Sequence, residues 1–145
     1  MAASNKDIAN RLRQEIWKTG NLAIADQICA EEAVFYQNDP LTPDLGRGPS
    51  ALKKIVTKYR TAFPDTHITI EDIVAEGDRV AIRWIGRGTN KGNLGRISPT
   101  GKAVTVTGID IVRISDGKVH ENWTNWDKLG MLQQLGVQQV AAAGA

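Results

Sequence analysis

Apolar positions recur at helical spacing in the first part of the chain, and from residue 66 onward the repeat shortens to two. Ile8, Leu12 and Ile16 form one apolar stripe within a helix predicted over 4–18, which Ser4 can cap and Asp7 favours at its N-terminal end. Gly20 stops it. Asn21 can cap a second short helix with Leu22, Ile24, Ala25 and Ile28 as apolar positions, which puts Cys29 on an apolar helix face as an inert core residue. Ala33, Val34, Phe35 and Tyr36 make a short extended run, followed by a loop over 38–46 marked by Pro40, Pro43 and Gly46. Pro49 opens a third helix with Leu52, Ile55, Val56, Tyr59 and Phe63 inward, and Pro64 ends it.

Strands then take over. Residues 66–74 form one, with a turn at Glu76, Gly77 and Asp78. In 79–89, Arg79, Arg83 and Arg87 fall on one side and Val80, Ile82 and Trp84 on the other. A glycine-rich connection spans 90–101 and another strand 102–114. The turn Ser115, Asp116, Gly117 leads into a last strand ending at Trp126. Asp127 can cap a final helix over 128–135, with Gly136 as its stop. Helices first and antiparallel strands afterwards is the α+β pattern. Within this hairpin Asp110, His120, Asn122, Thr124 and Asn125 are short or flat polar groups among large apolar ones. That composition predicts the floor of a mostly apolar pocket with a few placed polar groups, hence a small apolar organic ligand.

The 145 residues imply a single domain over 1–140, followed by a tail over 141–145 that is expected to fray. With 41% hydrophobic and 23% charged residues the chain reads as an ordinary soluble globular protein. No apolar run approaches a membrane span, and no signal peptide is seen. The lone Cys29 rules out an internal disulfide and fits a reducing cytosol, so a cytoplasmic location is expected. A net charge of +2 on scattered Lys and Arg gives no case for nucleic acid. Two histidines and one cysteine at unrelated positions have no metal-ligand spacing, and the glycines near Gly86 and Gly92 form no dinucleotide fingerprint. No metal or cofactor is therefore expected.

An ordered set of short motifs runs from Phe63-Pro64-Asp65-Thr66-His67 through Glu76-Gly77-Asp78-Arg79, Arg83-Trp84 and Gly88-Thr89-Asn90-Lys91-Gly92. It continues with Pro99-Thr100-Gly101-Lys102, Gly108-Ile109-Asp110, Arg113 to Val119, Glu121-Asn122-Trp123 and Leu132 to Gly136. Together they resemble the SnoaL-like polyketide and ester cyclases of the NTF2-like superfamily, over nearly all of the chain. The resemblance implies a cone: a curved antiparallel sheet wrapped by N-terminal helices around an apolar pocket. It also implies ring closure by intramolecular aldol condensation without metal or cofactor. The family's acid/base aspartate falls at Thr124, and histidines common in the family fall at Asn122, Asp110 and Asn90. Thr124 cannot take a proton from carbon at neutral pH and Asn122 does not titrate. That leaves Asp110 as the carboxylate expected in the pocket.

By strand parity Asp110 shares a face with Val106, Gly108, Val112 and Ile114, where desolvation suits a carboxylate to general-base work. Asp110→Asn is expected to leave folding near normal; the rival reading is a buried, hydrogen-bonded structural Asp. Asn122 and Thr124, sharing parity with His120 and Trp126, can hydrogen-bond a substrate carbonyl or an enolate oxygen, or serve a structural network. Trp84, Asn90, Val106, Trp126 and His67 are candidate substrate-binding residues. Solvated positions are the alternative for His67 and His120. The stripe Arg79, Arg83, Arg87 reads as a wet outer face or as the interface of a homodimer. Three functions follow: a cofactor-independent cyclase-type enzyme on an apolar polyketide-like or other carbonyl substrate; an epoxide or ester hydrolase with Asp110 activating water; and a non-catalytic small-molecule binding protein.

Overall fold

The computed structural model describes residues 4–37 and 45–137. The predicted loop lies outside them at 38–44, as does the tail at 141–145.

Helix α1 (Asn5–Arg11) opens with a capping box in which Ser4 and Asp7 bond each other's backbone N–H. The predicted helix continues, but from Leu12 to Lys18 it is π-helical, a wider turn that brings Arg13 toward the interior. Its last carbonyls, those of Trp17 and Lys18, accept bonds of 2.9 and 2.8 Å from Arg60 Nη1. Helix α2 (Ala23–Ile28) begins one residue later than its expected cap allows. Leu22 holds the cap position, and Asn21 contributes its backbone carbonyl to Ile24 rather than its side chain. Strand β1 (Cys29–Tyr36) follows directly, so Cys29 starts a strand instead of lying on a helix. It is buried all the same, and burial pushes its thiol up to about 12. Helix α3 (Pro49–Ala62) has Pro49 in its first turn and packs Leu52, Ile55, Val56 and Tyr59 inward, as the pattern predicts.

Strands β2 (His67–Glu76), β3 (Arg79–Thr89), β4 (Ala103–Ser115) and β5 (Lys118–Trp126) pair antiparallel in succession. At the β4–β5 turn Asp116 has φ 53 and Gly117 φ 72, the left-handed pair of a type I′ hairpin. The sheet order is β1-β5-β4-β3-β2, and β1 pairs with β5 in parallel. The sheet expected to be antiparallel throughout is therefore mixed at one edge. β1 reaches β5 only through a long crossover that includes α3, the kind of connection a parallel pair needs. A bulge lies where Arg113 and Ile114 face Glu121 and Val119, leaving His120 out of register. Val119 and Asn122 are both buried as a result, while His120 is half-buried beside the carbonyl of Ser115. Helix α4 (Lys128–Leu135) is capped by Asp127, which accepts from Gly130 N at 2.8 Å, and Gly136 ends it at φ 79. The Gln134 amide bonds both the N–H and the carbonyl of Thr105, strapping α4 across β4.

The core lies between the helices and the inner face of the curved sheet. Leu12, Ile16, Leu52, Ile55, Ile82, Val112 and Ile114 are almost fully buried, each worth about 1.5–3 kcal/mol of apolar burial. Gly108 has a particular task there. It pairs with Trp84 on one side and Trp126 on the other. A Cβ at 108 would sit 2.3 Å from the Trp84 ring and 2.9 Å from Trp126 Cβ. The absent side chain lets the Trp84 indole lie across β4. Gly108→Ala is therefore expected to cost about 1–3 kcal/mol through overpacking and to lower the thermal unfolding midpoint by several degrees. An unchanged midpoint in a differential scanning calorimetry comparison would show that the indoles yield freely.

Candidate active site

The helices and the inner sheet face leave a cavity of about 620 Å³, counting its open mouth. Its walls are largely ring and aliphatic: Trp17, Tyr59, Phe63, Ile68, Trp84, Val104, Val106, Trp126 and Met131. Tyr59 and Trp126 meet in a T-shaped contact, with centroids 5.5 Å apart at 87°, and burial pushes the Tyr59 phenol up. Polar character enters through Arg13, Gln37, Thr66, Arg87 and Thr124. The Thr124 hydroxyl accepts from Gln37 Nε2 at 3.3 Å.

Under this wall lies a buried ion pair. Arg13 Nε donates to Asp110 Oδ2 at 2.7 Å, and Nη2 lies 2.7 Å from Oδ1 and 2.6 Å from Oδ2. Arg13 is 3% exposed and Asp110 0%, so the pair is closed to bulk water and each charge depends on the other. Two indoles attend it: the guanidinium carbon lies 4.4 Å from the Trp84 ring centre and 5.1 Å from that of Trp17. Trp84 Nε1 points at Asp110 Oδ1 from 3.4 Å.

Asp110 and Thr124 are direct cross-strand neighbours, and Asn122 stands opposite Val112 two residues along. All three are buried on the inner face, so the sheet gathers Asp110, Asn122 and Thr124 as strand parity predicts. They stand differently toward the cavity. Thr124, Trp84, Val106 and Trp126 line it; Asp110 lies behind Arg13, and Asn122 donates to the Ile111 carbonyl at 3.4 Å. Asn90 is buried in another role: its amide bonds the carbonyls of Ala62 and Gly92 and accepts from Thr100, tying down the connection after β3. His67 is exposed at the start of β2, away from the cavity wall. The sequence reading missed Arg13. The available signal was an imbalance: a carboxylate on an apolar strand face needs a cation, and Arg13 stands beside the Leu12–Ile16 stripe, four residues before Trp17. Among the described residues no group of three or more His, Cys, Asp or Glu could hold a metal ion, and no helix is long and apolar enough to cross a membrane.

Comparison with known proteins bears on this arrangement. The SnoaL-like polyketide cyclase profile matches residues 7–135. Aklanonic acid methyl ester cyclase DnrD of Streptomyces peucetius is 34% identical over 97 residues, 65% of each chain, so this chain spans just under two-thirds of that relative. Among solved structures, IdmH of Streptomyces antibioticus, assigned as a polyketide cyclase, superposes with TM-score 0.80 at 28% identity over 93% of this chain and 100% of that one. A protein of Acidithiobacillus ferrooxidans with the same assignment gives TM-score 0.79 at 27% identity over 94% and 97%. With its profile match, its cone of helices around a curved sheet and its apolar cavity, the chain belongs to the SnoaL-like polyketide cyclase family.

Proposed function

We propose that this protein is a cofactor-independent enzyme of the cyclase type that closes a ring on an apolar, polyketide-like carbonyl substrate. The observation that carries the reading is the Arg13–Asp110 pair set against an otherwise apolar cavity. Hydrophobic residues in place of a buried ion pair are often as stable or more so, so a core has little need of one. A reaction that moves a proton has a use for it.

In this reading Asp110 takes a proton from the carbon beside a carbonyl, and the C–H electron pair becomes an enolate. The enolate adds to a second carbonyl of the same molecule, and Asp110 returns the proton to the new alkoxide. Thr124 positions oxygen, Asn122 braces the sheet behind it through the Ile111 carbonyl, and Trp84, Val106 and Trp126 hold the substrate's apolar body. Substrate reaches Asp110 when Oδ1 turns from Nη2 while Oδ2 keeps its bond to Nε, so that the guanidinium stays in place. The relative's name makes a polyketide methyl ester the first compound to try. The non-catalytic binding reading keeps one observation in its favour: Arg13 engages both Asp110 oxygens, and among the described residues no carboxylate lines the cavity.

Ring closure makes an isomer, so incubation with aklanonic acid methyl ester or a similar polyketide ester should give a product of unchanged mass and new chromatographic retention. Gain of one water would point to epoxide hydrolysis, loss of the ester methyl to ester hydrolysis, and an unchanged ligand that co-purifies to a binding protein.

The mutational test must respect the ion pair. Asp110→Asn strands the Arg13 charge and is expected to cost about 3–5 kcal/mol of stability, against the sequence expectation of near-normal folding. Its loss of turnover, about 10²–10⁴-fold for a general base, is therefore read beside Arg13→Met/Asp110→Leu, which removes both charges and should unfold near the wild-type temperature. Full turnover in that folded double variant would take the pair out of the mechanism.

We also infer a homodimer through the outer sheet face. There Tyr36 stacks on Trp123 with centroids 5.4 Å apart, Arg79 lies over Trp123, and Ile109 and Ile111 are exposed. Light scattering at micromolar concentration should give twice the 15.8 kDa chain mass; a particle of one chain mass overturns this.

A further inference from the structure

Arg13 has hydrogen-bonding capacity that the ion pair does not use. The guanidinium carries five N–H donors in a fixed plane. Its Nε and Nη2 are committed to Asp110, and Nη1 makes no hydrogen bond to any described residue. Nor is Nη1 among the polar atoms sealed from space without a partner, although the residue as a whole is 97% buried. The open space beside Arg13 is the cavity it lines. The carboxylate fixes the edge of the fork that carries Nε and Nη2, and Trp17 and Trp84 pack against the guanidinium. The group is thus held in place with one N–H₂ left over. The π-helical turn is part of the same arrangement, because it carries Arg13 and Trp17 to the cavity together.

We propose that Arg13 Nη1 is the oxyanion contact of this cavity: it donates to the substrate carbonyl oxygen and holds it as negative charge develops there. Asp110 then has a second task, as the positioning residue that orients the guanidinium. A fixed cationic donor in a dry, aromatic site stabilises an enolate oxygen more than the neutral carbonyl it comes from, which is the differential binding a proton abstraction needs. The substrate class narrows accordingly. The reacting carbonyl must stand at the edge of a flat apolar body, so that the oxygen meets Nη1 while the body lies against Trp84, Val106 and Trp126. The inference rests on the carbonyl-enzyme reading but is tested apart from it.

The probe is a matched pair: a nitro-substituted 2-naphthol that is ionised at neutral pH, as a stable stand-in for an enolate, and its methyl ether, which has nearly the same shape and no charge. Binding is followed by tryptophan fluorescence and by the naphtholate absorption band, which reports the protonation state of the bound ligand. Wild type should bind the naphtholate roughly ten- to a hundredfold more tightly than the ether, the range of one charge-assisted hydrogen bond. Arg13→Met/Asp110→Leu, which keeps an apolar core, should bind the ether within a few fold of wild type and lose the preference. Arg13→Lys should lose most of it, since a single ammonium cannot hold Asp110 and the ligand in one plane. A double variant that keeps the preference, or a wild type that has none, overturns the assignment. Naphtholate preference without turnover of any polyketide ester leaves the contact standing and removes the cyclase reading. Turnover without the preference does the reverse.

Discussion

The Arg13–Asp110 pair joins residues 97 positions apart in the chain and fastens the first helical layer to the middle strand of the sheet. Neither group can be buried alone. An unpaired guanidinium or carboxylate in this apolar setting would cost several kcal/mol, so packing the N-terminal helix onto β4 requires the two to meet in good geometry. That condition fixes the rotation of the helix on the sheet. With Arg13 aimed at Asp110, Leu12 and Ile16 enter the core and Trp17 reaches the cavity wall. The widened π-helical turn is the local backbone solution that serves both sides of the helix.

The sheet makes a matching concession. Two indoles flank a glycine on β4, and the missing Cβ gives Trp84 room to lie flat beside the guanidinium. A larger residue at Gly108 would lift both tryptophans toward the cavity and narrow it. Cavity shape and the packing of the charged pair are therefore one structural problem, solved with one glycine and two rings. Tyr59 from α3 joins the cavity wall through its T-shaped contact with Trp126.

Features set by neighbours in sequence were legible. Residues 79–89 alternate without interruption and form β3 as predicted, and Asp116-Gly117 is a type I′ turn because Gly tolerates positive φ and Asp is among the residues that visit it most readily. Asp127 and Gly136 bound α4 for equally local reasons. What sequence could not show depends on distant partners. The parallel β1–β5 pairing answers to a crossover longer than any local pattern. The bulge at His120 inserts one residue and breaks the parity count, so His120 parts from Asn122. In the site, parity correctly put Asp110, Asn122 and Thr124 on one face, but it could not say which of them open on the cavity. Arg13 was hidden because a charged residue beside an apolar helical stripe looks like the edge of a solvated face until its partner is known.

The polar residues on β5 make sense in these terms. By the resemblance read from the sequence, the aspartate that SnoaL-like cyclases use as acid/base would fall at Thr124, which stands directly across from Asp110. An aspartate there would put a second carboxylate within cross-strand distance of the first, and two such groups in one apolar site cannot both ionise readily. A single guanidinium already occupied by one carboxylate would not neutralise both. A threonine keeps the hydroxyl and adds no charge, so the ion pair beneath remains balanced. Charge balance around Arg13 thus accounts for a neutral residue at 124. Under the proposed function, the ionisable chemistry of this cavity then lies in the pair buried behind the wall formed by β5.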